Sequence, residues 1–246
     1  MIPKLKLYVR KQQFNPGLLG IFINPFYTVR KELRRAMIRL SSHVTGRTLD
    51  VGCGEKPYEN IFSNISEYVG MEYDSPKNRS RFKNINSWYD GKHFPFDGNS
   101  FDSIILTQVL EHVFNPDEFL AEINRVTKNN GLLLMSAPFV WDEHEQPWDY
   151  ARYSSFGLKH LLKKHGFEII EHIKTVSDVR VISQLTACYI HKKLAGIRSY
   201  RIKMIFYVLL ISPLTIIGTI LSQILPANMD LYMDNVVLAR KIHSHD

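Results

Sequence analysis

The stretch Thr48-Leu49-Asp50-Val51-Gly52-Cys53-Gly54 decides how the chain is read. Apolar and β-branched residues surround a single acid, and two glycines then interrupt the run. This is a strand over Arg47–Val51 that ends in a turn with no side chain at 52 or 54. Working outward, a second strand fits Glu67–Glu72, and Asp74 to Asn99 reads mainly as loop. Phe101–Val109 and Leu132–Ala137 are nearly continuous apolar runs, suited to strands covered on both faces. Between them Asn115-Pro116 opens a helix, with Phe119, Leu120, Ile123 and Val126 at helical spacing, and Asn129-Asn130-Gly131 closes it. Ser154 or Ser155 caps a further helix through His165, Gly166 ends it, Phe167–Val176 extends again, and Asn235–Lys241 is the last strand. Strands alternating with helices specify an α/β fold, a doubly wound and mostly parallel sheet with an antiparallel last strand.

Upstream, Val29, Leu33, Met37 and Leu40 recur among basic residues and predict an amphipathic helix from Phe26 to about Ser42. Downstream, Met204 to Met229 carries no charged residue, and Ile202 to Leu225 is almost wholly apolar. The chain therefore divides into an N-terminal arm and helix over 1–45, a main domain over 46–178 plus 230–246, and a helical, apolar insertion over 179–229. At 246 residues the chain is long enough to bury a full hydrophobic core. Cys53 and Cys188 are too few and too distant for a disulfide framework, and reduced thiols in the cytoplasm are expected. The short apolar stretch Leu18 to Ile23 does not read as a signal peptide. A net charge of +7 does not by itself choose among nucleic acid, an anionic membrane and an acidic substrate.

The glycine turn resembles the cofactor loop of class I S-adenosylmethionine-dependent methyltransferases, and the resemblance continues along the chain. Val69-Gly70-Met71-Glu72 matches their second-strand acid. Phe94-Pro95-Phe96-Asp97-Gly98-Asn99-Ser100-Phe101-Asp102 matches the loop before the fourth strand. Val109-Leu110-Glu111-His112-Val113 and Arg125-Val126 followed by Gly131 complete the pattern of the type 11 branch. The resemblance implies a Rossmann-like fold and S-adenosyl-L-methionine as cofactor. Asp50, Gly52, Cys53 and Gly54 then lie against its methionine part, with the Asp50 carboxylate facing the ammonium. Glu72 would accept from the ribose hydroxyls. Asp90 would face the adenine amino group, with Thr107 and Gln108 beside the methionine portion. Lys56-Pro57-Tyr58 replaces the further glycine that a nicotinamide fold requires, which speaks against NAD.

The densest polar and aromatic stretch, Trp141 to Tyr153, follows the fifth strand and is expected over the cofactor. Within it His144, flanked by Glu143 and Glu145, is the candidate general base. Asp149 and Arg152 are candidates to bind the acceptor, or to pair with each other. Glu111-His112 reads as a cap and a packed imidazole, and His-x4-Asp is not metal spacing, so no metal is expected. Since the insertion runs between strands of one sheet, a single membrane crossing within it is excluded. Residues 202–225 are expected as two half-helices broken at Pro213 that dip into one leaflet of the inner membrane face or lie at its interface, the alternative being a helical pair that buries its apolar surface against the domain or a second subunit. The expected activity is methylation, preferably O-methylation in glycan or polysaccharide assembly, of a small or lipid-linked acceptor. A quinone or lipid methyltransferase and a non-catalytic binding protein are the rivals. No tetrapeptide of the amino-methylating DNA enzymes occurs, and no nucleic acid partner is expected.

Overall fold

A computed structural model describes residues 12–242. Seven strands form one sheet: β1 (Gly46–Val51), β2 (Ile65–Tyr73), β3 (Ser87–Tyr89), β4 (Phe101–Thr107), β5 (Thr127–Pro138), β6 (Phe167–Lys174) and β7 (Asp234–Lys241). Their order is β3-β2-β1-β4-β5-β7-β6. The pairs β3–β2, β2–β1, β1–β4 and β4–β5 are parallel, and β7 runs antiparallel between β5 and β6. The expected fold class is thus the observed one. Order reverses beside β1, the place where open α/β sheets bind ligands at the carboxyl ends of their strands.

The described residues divide into two compact units, one of residues 36–173 and 235–242, the other of residues 12–35 and 174–234. The first holds the sheet and its core, in which Leu49, Ile104, Leu106, Leu133 and Met135 are fully buried. Helix α1 (Tyr27–Ser41) buries the expected stripe of Val29, Leu33, Met37 and Leu40. Helix α3 (Pro116–Val126) follows the short α2 (Pro76–Arg81) and anchors the loop before β4. The Arg125 guanidinium donates to the carbonyls of Phe96 and Phe94 at 2.8 and 3.1 Å, and Glu122 accepts from the Phe94 amide at 2.7 Å. The loop before β4 is thereby tied to the helix after it.

Several boundaries move. The stretch expected as loop contains α2 and β3. Asn115 sits at the N-cap of α3 but its side chain makes no capping bond. Asn129-Asn130-Gly131 does not lie outside the sheet: β5 starts at Thr127 and bulges there, with Asn130 at φ 63°. After α4 (Ser155–Lys164), Gly166 turns at φ 74° into β6 as expected.

In the second unit, α5 (Arg180–Lys193) precedes one continuous helix, α6 (Tyr200–Leu221). Pro213 does not break α6. A π-helical turn at Tyr207–Ile211 precedes it, and the Ser212 hydroxyl donates to the Tyr207 carbonyl at 3.1 Å, so the wider turn accommodates the missing amide. At Gly218 a Cβ would stand 2.2 Å from Ser183 Oγ, so the glycine lets α6 approach α5. The Gln184 side chain of α5 donates to the Pro25 carbonyl at 2.8 Å and accepts from Val29 at 3.4 Å, holding the start of α1. The first eleven residues of the expected arm, including Pro3 and the cations Lys4, Lys6, Arg10 and Lys11, lie outside the described residues, as do the last four.

Candidate active site

Asp50, Glu72 and Thr107 end or nearly end three neighbouring parallel strands, so the sheet itself brings them to one edge. Each meets a different environment. Asp50 lies opposite Gly70 on β2 and is buried, and the Tyr68 hydroxyl donates to its carboxylate. Burial pushes the Asp50 carboxyl up to about 7, against the opposing effects of the Tyr68 hydrogen bond and the nearby Lys56. Glu72 receives the Gly54 amide on Oε2 at 2.9 Å and the Tyr73 amide on Oε1 at 3.1 Å. Asn78 approaches the same Oε1 at 3.4 Å. A carboxylate has about four acceptor positions, so one is left for a hydroxyl donor, and a second opens where the long Asn78 contact gives way. Burial raises the Glu72 carboxyl, while the two amides oppose that shift.

The glycine turn is more specific than its sequence suggests. Gly52 and Gly54 both adopt positive φ, 68° and 51°. A Cβ on Gly52 would stand 2.5 Å from a methyl of Val109, so this position is bare because the turn after β4 packs onto it. A Cβ on Gly54 would meet only Phe82, at 3.7 Å, so conformation rather than space demands glycine there. Cys53 turns its thiol into the core towards Gly70, and burial raises it further from ionisation. The side chain is a packing group, and the Cys53 amide donates to Met71 at 3.1 Å.

Beyond β4, Thr107 Oγ1 is buried with no hydrogen-bond partner among the described residues. Gln108 follows at φ 55°, with its amide on the Ser136 carbonyl and its side chain on the Ser136 hydroxyl. Asp90 follows β3 but is exposed, and its carboxylate accepts from Lys92 and His93 at 2.8 and 3.0 Å. These two amides hold its carboxyl below the usual range. An edge lined by two buried carboxyl groups and an orphaned hydroxyl fits the charged and polar parts of S-adenosylmethionine.

The loop after β5 docks on the turn Leu110–His112, where the Glu111 carbonyl accepts from Tyr150 and Ala151 at 2.8 and 3.3 Å. His112 Nδ1 lies 2.6 Å from the Trp148 carbonyl. Asp149 and Arg152 are consumed by each other: the guanidinium grips both carboxylate oxygens at 2.6 and 2.7 Å and also donates to the Asp142 carbonyl at 2.9 Å. This chelate brings Asp149 down to about 2. The internal pair is the second of the two expected roles, and through it the two residues shape the loop. His144 is positioned by that pair, with its amide on Asp149 at 2.8 Å and its Nδ1 3.2 Å from the same oxygen. Its ring meets that of His112 edge-on, with centroids 4.8 Å apart. Burial lowers the His144 imidazole below its ordinary value. On the far side, Lys77 of α2 reaches Glu145 at 3.3 Å and lies over the Trp148 ring.

A separate hollow of about 340 Å³, lined by Arg47, Pro95, Phe96, Asp97 and Ser100, lies at the opposite, amino-terminal end of β1 and β4. It shares no residue with the constellation above.

A family described as a methyltransferase domain matches residues 26–172. The chain belongs to the class I methyltransferases. This family uses S-adenosylmethionine, the group that the edge of β1, β2 and β4 fits. A "Probable S-adenosylmethionine-dependent methyltransferase" of Mycolicibacterium smegmatis is 27% identical over 143 residues, 53% of this chain and 56% of that protein. The chain spans about half the length of the curated relatives it matches. Among solved structures, the [4+2]-cyclase SpnF superposes with a TM-score of 0.56 at 18% identity, covering 88% of this chain and 82% of that one. Phosphoethanolamine N-methyltransferase 2 of Haemonchus contortus gives 0.54 at 17% identity, covering 96% and 57%. Likeness at that level shows the fold alone, and a cyclase and an N-methyltransferase share it.

The sequence motifs located the strand-end acids of this methyltransferase. They gave no sign of Tyr68 on Asp50 or Val109 on Gly52, because both contacts join different strands or turns. Alternation along β2 offers one usable signal, since Tyr68 is the aromatic residue of that strand opposite the first half of β1.

Proposed function

We propose that this protein transfers the methyl group of S-adenosylmethionine to a hydroxyl of a small or lipid-linked acceptor, in glycan or polysaccharide assembly at the cytoplasmic membrane face. The observation that carries the reading is the meeting of Asp50, Glu72 and the orphaned Thr107 hydroxyl at one sheet edge. The cofactor supplies an electrophilic methyl group on a sulfonium. Glu72 binds the ribose hydroxyls, Asp50 pairs with the ammonium, and Thr107 meets the methionine portion beside the bare turn at Gly52 and Gly54. Asp90 and Gln108 complete the adenine and methionine ends.

The acceptor enters on the side of Glu111, His112 and His144. In transfer its oxygen forms the bond to the methyl carbon, the carbon–sulfur bond breaks with its electron pair left on sulfur, and the hydroxyl proton departs. His144, kept neutral by burial, is in the form that accepts a proton. Incubation with methyl-labelled cofactor and fractionated lipid and glycan extracts tests this. An alkali-stable methyl ether in a glycan or lipid-linked fraction is expected. Label confined to amine or carbon, or no label despite cofactor binding, refutes it. Label in a quinone fraction would favour the rival acceptor class.

Membrane contact rests on α6. Only 28% of its most apolar window is buried, and Ile205, Leu209, Ile217 and Ile220 are each more than half exposed. Arg198, Arg201 and Lys203 stand at its amino-terminal end, where they would meet anionic headgroups at about 1 kcal/mol each. Both ends of the insertion lead to strands of one sheet, which supports a reading in which α6 rests in one leaflet without crossing. The protein is expected to float with vesicles containing phosphatidylglycerol. Paired Ile217→Asp and Ile220→Asp changes should reduce the bound fraction at least about tenfold, from the lost transfer of two isoleucines. Equal recovery of both proteins in the unbound fraction would contradict it.

A further inference from the structure

We infer that Glu111, His112 and His144 form a binding site for a divalent first-row transition cation beside the cofactor edge. The inference rests on the methyltransferase reading for its role, but the site stands on its own geometry. Each residue brings one donor atom to within 4.8 Å of the other two, although His144 comes from a loop 32 positions after His112. Metal–nitrogen and metal–oxygen bonds of about 2.0–2.2 Å require donors roughly 3–4 Å apart. Small rotations of two partly exposed imidazoles supply that closure.

The groups behind the donors argue for ligation more strongly than the spacing. His112 Nδ1 is 2.6 Å from the Trp148 carbonyl, so that nitrogen carries the proton and Nε2 is the donor. Nε2 is also the atom that faces Glu111, at 3.9 Å. In His144, Nδ1 is 3.2 Å from the Asp149 carboxylate and 3.3 Å from the Asp142 carbonyl. Arg152 stands further off, at 3.5 Å. Two acceptors nearer than one donor place the proton on Nδ1, which again leaves Nε2. A carbonyl behind one imidazole and a carboxylate behind the other is how metal-binding histidines are oriented. Asp149 is itself locked by Arg152, so the support is rigid.

The third donor is chemically distinct. Glu111 is wholly buried, whereas the two imidazoles keep 24% and 30% of their side-chain surface exposed. A cation held there has its carboxylate below and open positions towards the acceptor. Two histidines and one carboxylate with open positions suit a borderline divalent ion rather than calcium or magnesium. Such an ion would replace His144 as the means of activating the acceptor: it binds and acidifies the hydroxyl, whose proton passes to water as the oxygen forms the bond to the methyl carbon and the carbon–sulfur bond breaks with its electron pair left on sulfur. A hydroxyl with a neighbouring oxygen, as in a sugar diol or catechol, fills two open positions at once.

Titration of the tag-free, chelator-treated protein with Co2+, followed by its visible absorption, is the test. One equivalent is expected to bind with the spectrum of a nitrogen-ligated site. His144→Ala and Glu111→Gln should each weaken Co2+ at least about a hundredfold, and Asp149→Asn about ten- to a hundredfold. Glu72→Ala, on the cofactor edge, should leave Co2+ binding unchanged. Retained S-adenosylmethionine binding by His144→Ala shows that the variant folds, and it separates failure here from failure of the methyltransferase reading. Absence of Co2+ binding, or equal binding by the wild type and His144→Ala, overturns the inference. So does methyl transfer that needs His144 but resists prolonged chelation, since the imidazole would then be acting alone.

Discussion

Glu72→Ala is expected to weaken S-adenosylmethionine binding by at least about a hundredfold, with little change in the fold. Two losses add. Hydrogen bonds from the ribose hydroxyls to a carboxylate contribute about 1.5–3 kcal/mol each, and removing both costs roughly 3 kcal/mol or more. The same carboxylate holds the Gly54 amide at 2.9 Å and the Tyr73 amide at 3.1 Å, so the glycine turn also loses its anchor at β2. Glu72→Gln keeps an acceptor for one amide but presents a donor to the other, and it should fall between. Calorimetric titration with S-adenosylhomocysteine reads the effect without turnover. If the alanine variant binds within a few-fold of the wild type, the sugar diol is held elsewhere and Glu72 is only a strut for the turn.

Asp50→Asn should separate stability from binding. The folded protein holds the Asp50 carboxyl at about 7 where an exposed one sits at 3.8, chiefly because the site is buried. Between those values the folded state keeps a proton that the unfolded state releases. Stability is therefore undiminished below about pH 4, falls as the pH rises, and bears the full cost above about 7. Three pKa units correspond to about 4 kcal/mol. An asparagine carries no charge to desolvate, and its amide oxygen can still accept from the Tyr68 hydroxyl. Denaturant unfolding should show the variant more stable than the wild type at pH 8 and nearly equal at pH 4. Cofactor affinity should move the other way. The wild type should bind more tightly as the pH rises through 7 and the carboxylate forms to meet the ammonium. The variant should bind about ten- to a hundredfold more weakly at pH 8 and lack that pH dependence. A wild-type stability profile matching that of Asp50→Asn across pH 4–8 would show that the carboxyl is not perturbed.

Glu111, His112, His144 and the Asp149–Arg152 clamp come together through contacts that sequence reading does not reach. His112 and His144 become neighbours only because the Glu111 carbonyl takes two amides from the loop after β5. No periodicity or spacing encodes that pairing. The expectation for Asp149 and Arg152 was open for the same reason, since a carboxylate and a guanidinium three residues apart can clasp each other or a ligand. Their bidentate contact depends on how the loop folds back across Asp142 and His144. The helical insertion shows a related effect. Pro213 and Gly218 are helix breakers by local preference, yet a π-turn absorbs one and close approach to Ser183 employs the other.

What the sequence alone determined was the principal strands and helices, through local pattern. Continuous apolar runs specified buried parallel strands, amphipathic stripes specified helices, and an acid or glycine marked the carboxyl ends of β1 and β2. These features are legible because each depends on a residue and its near neighbours in the chain. Only the tertiary structure decided which partners those groups meet: Tyr68 over Asp50, Val109 against Gly52, Arg152 on Asp149, and two imidazoles face to edge beside a buried glutamate. Such contacts follow from strand register and loop docking, which join positions far apart in the chain through packing energies that no single segment carries.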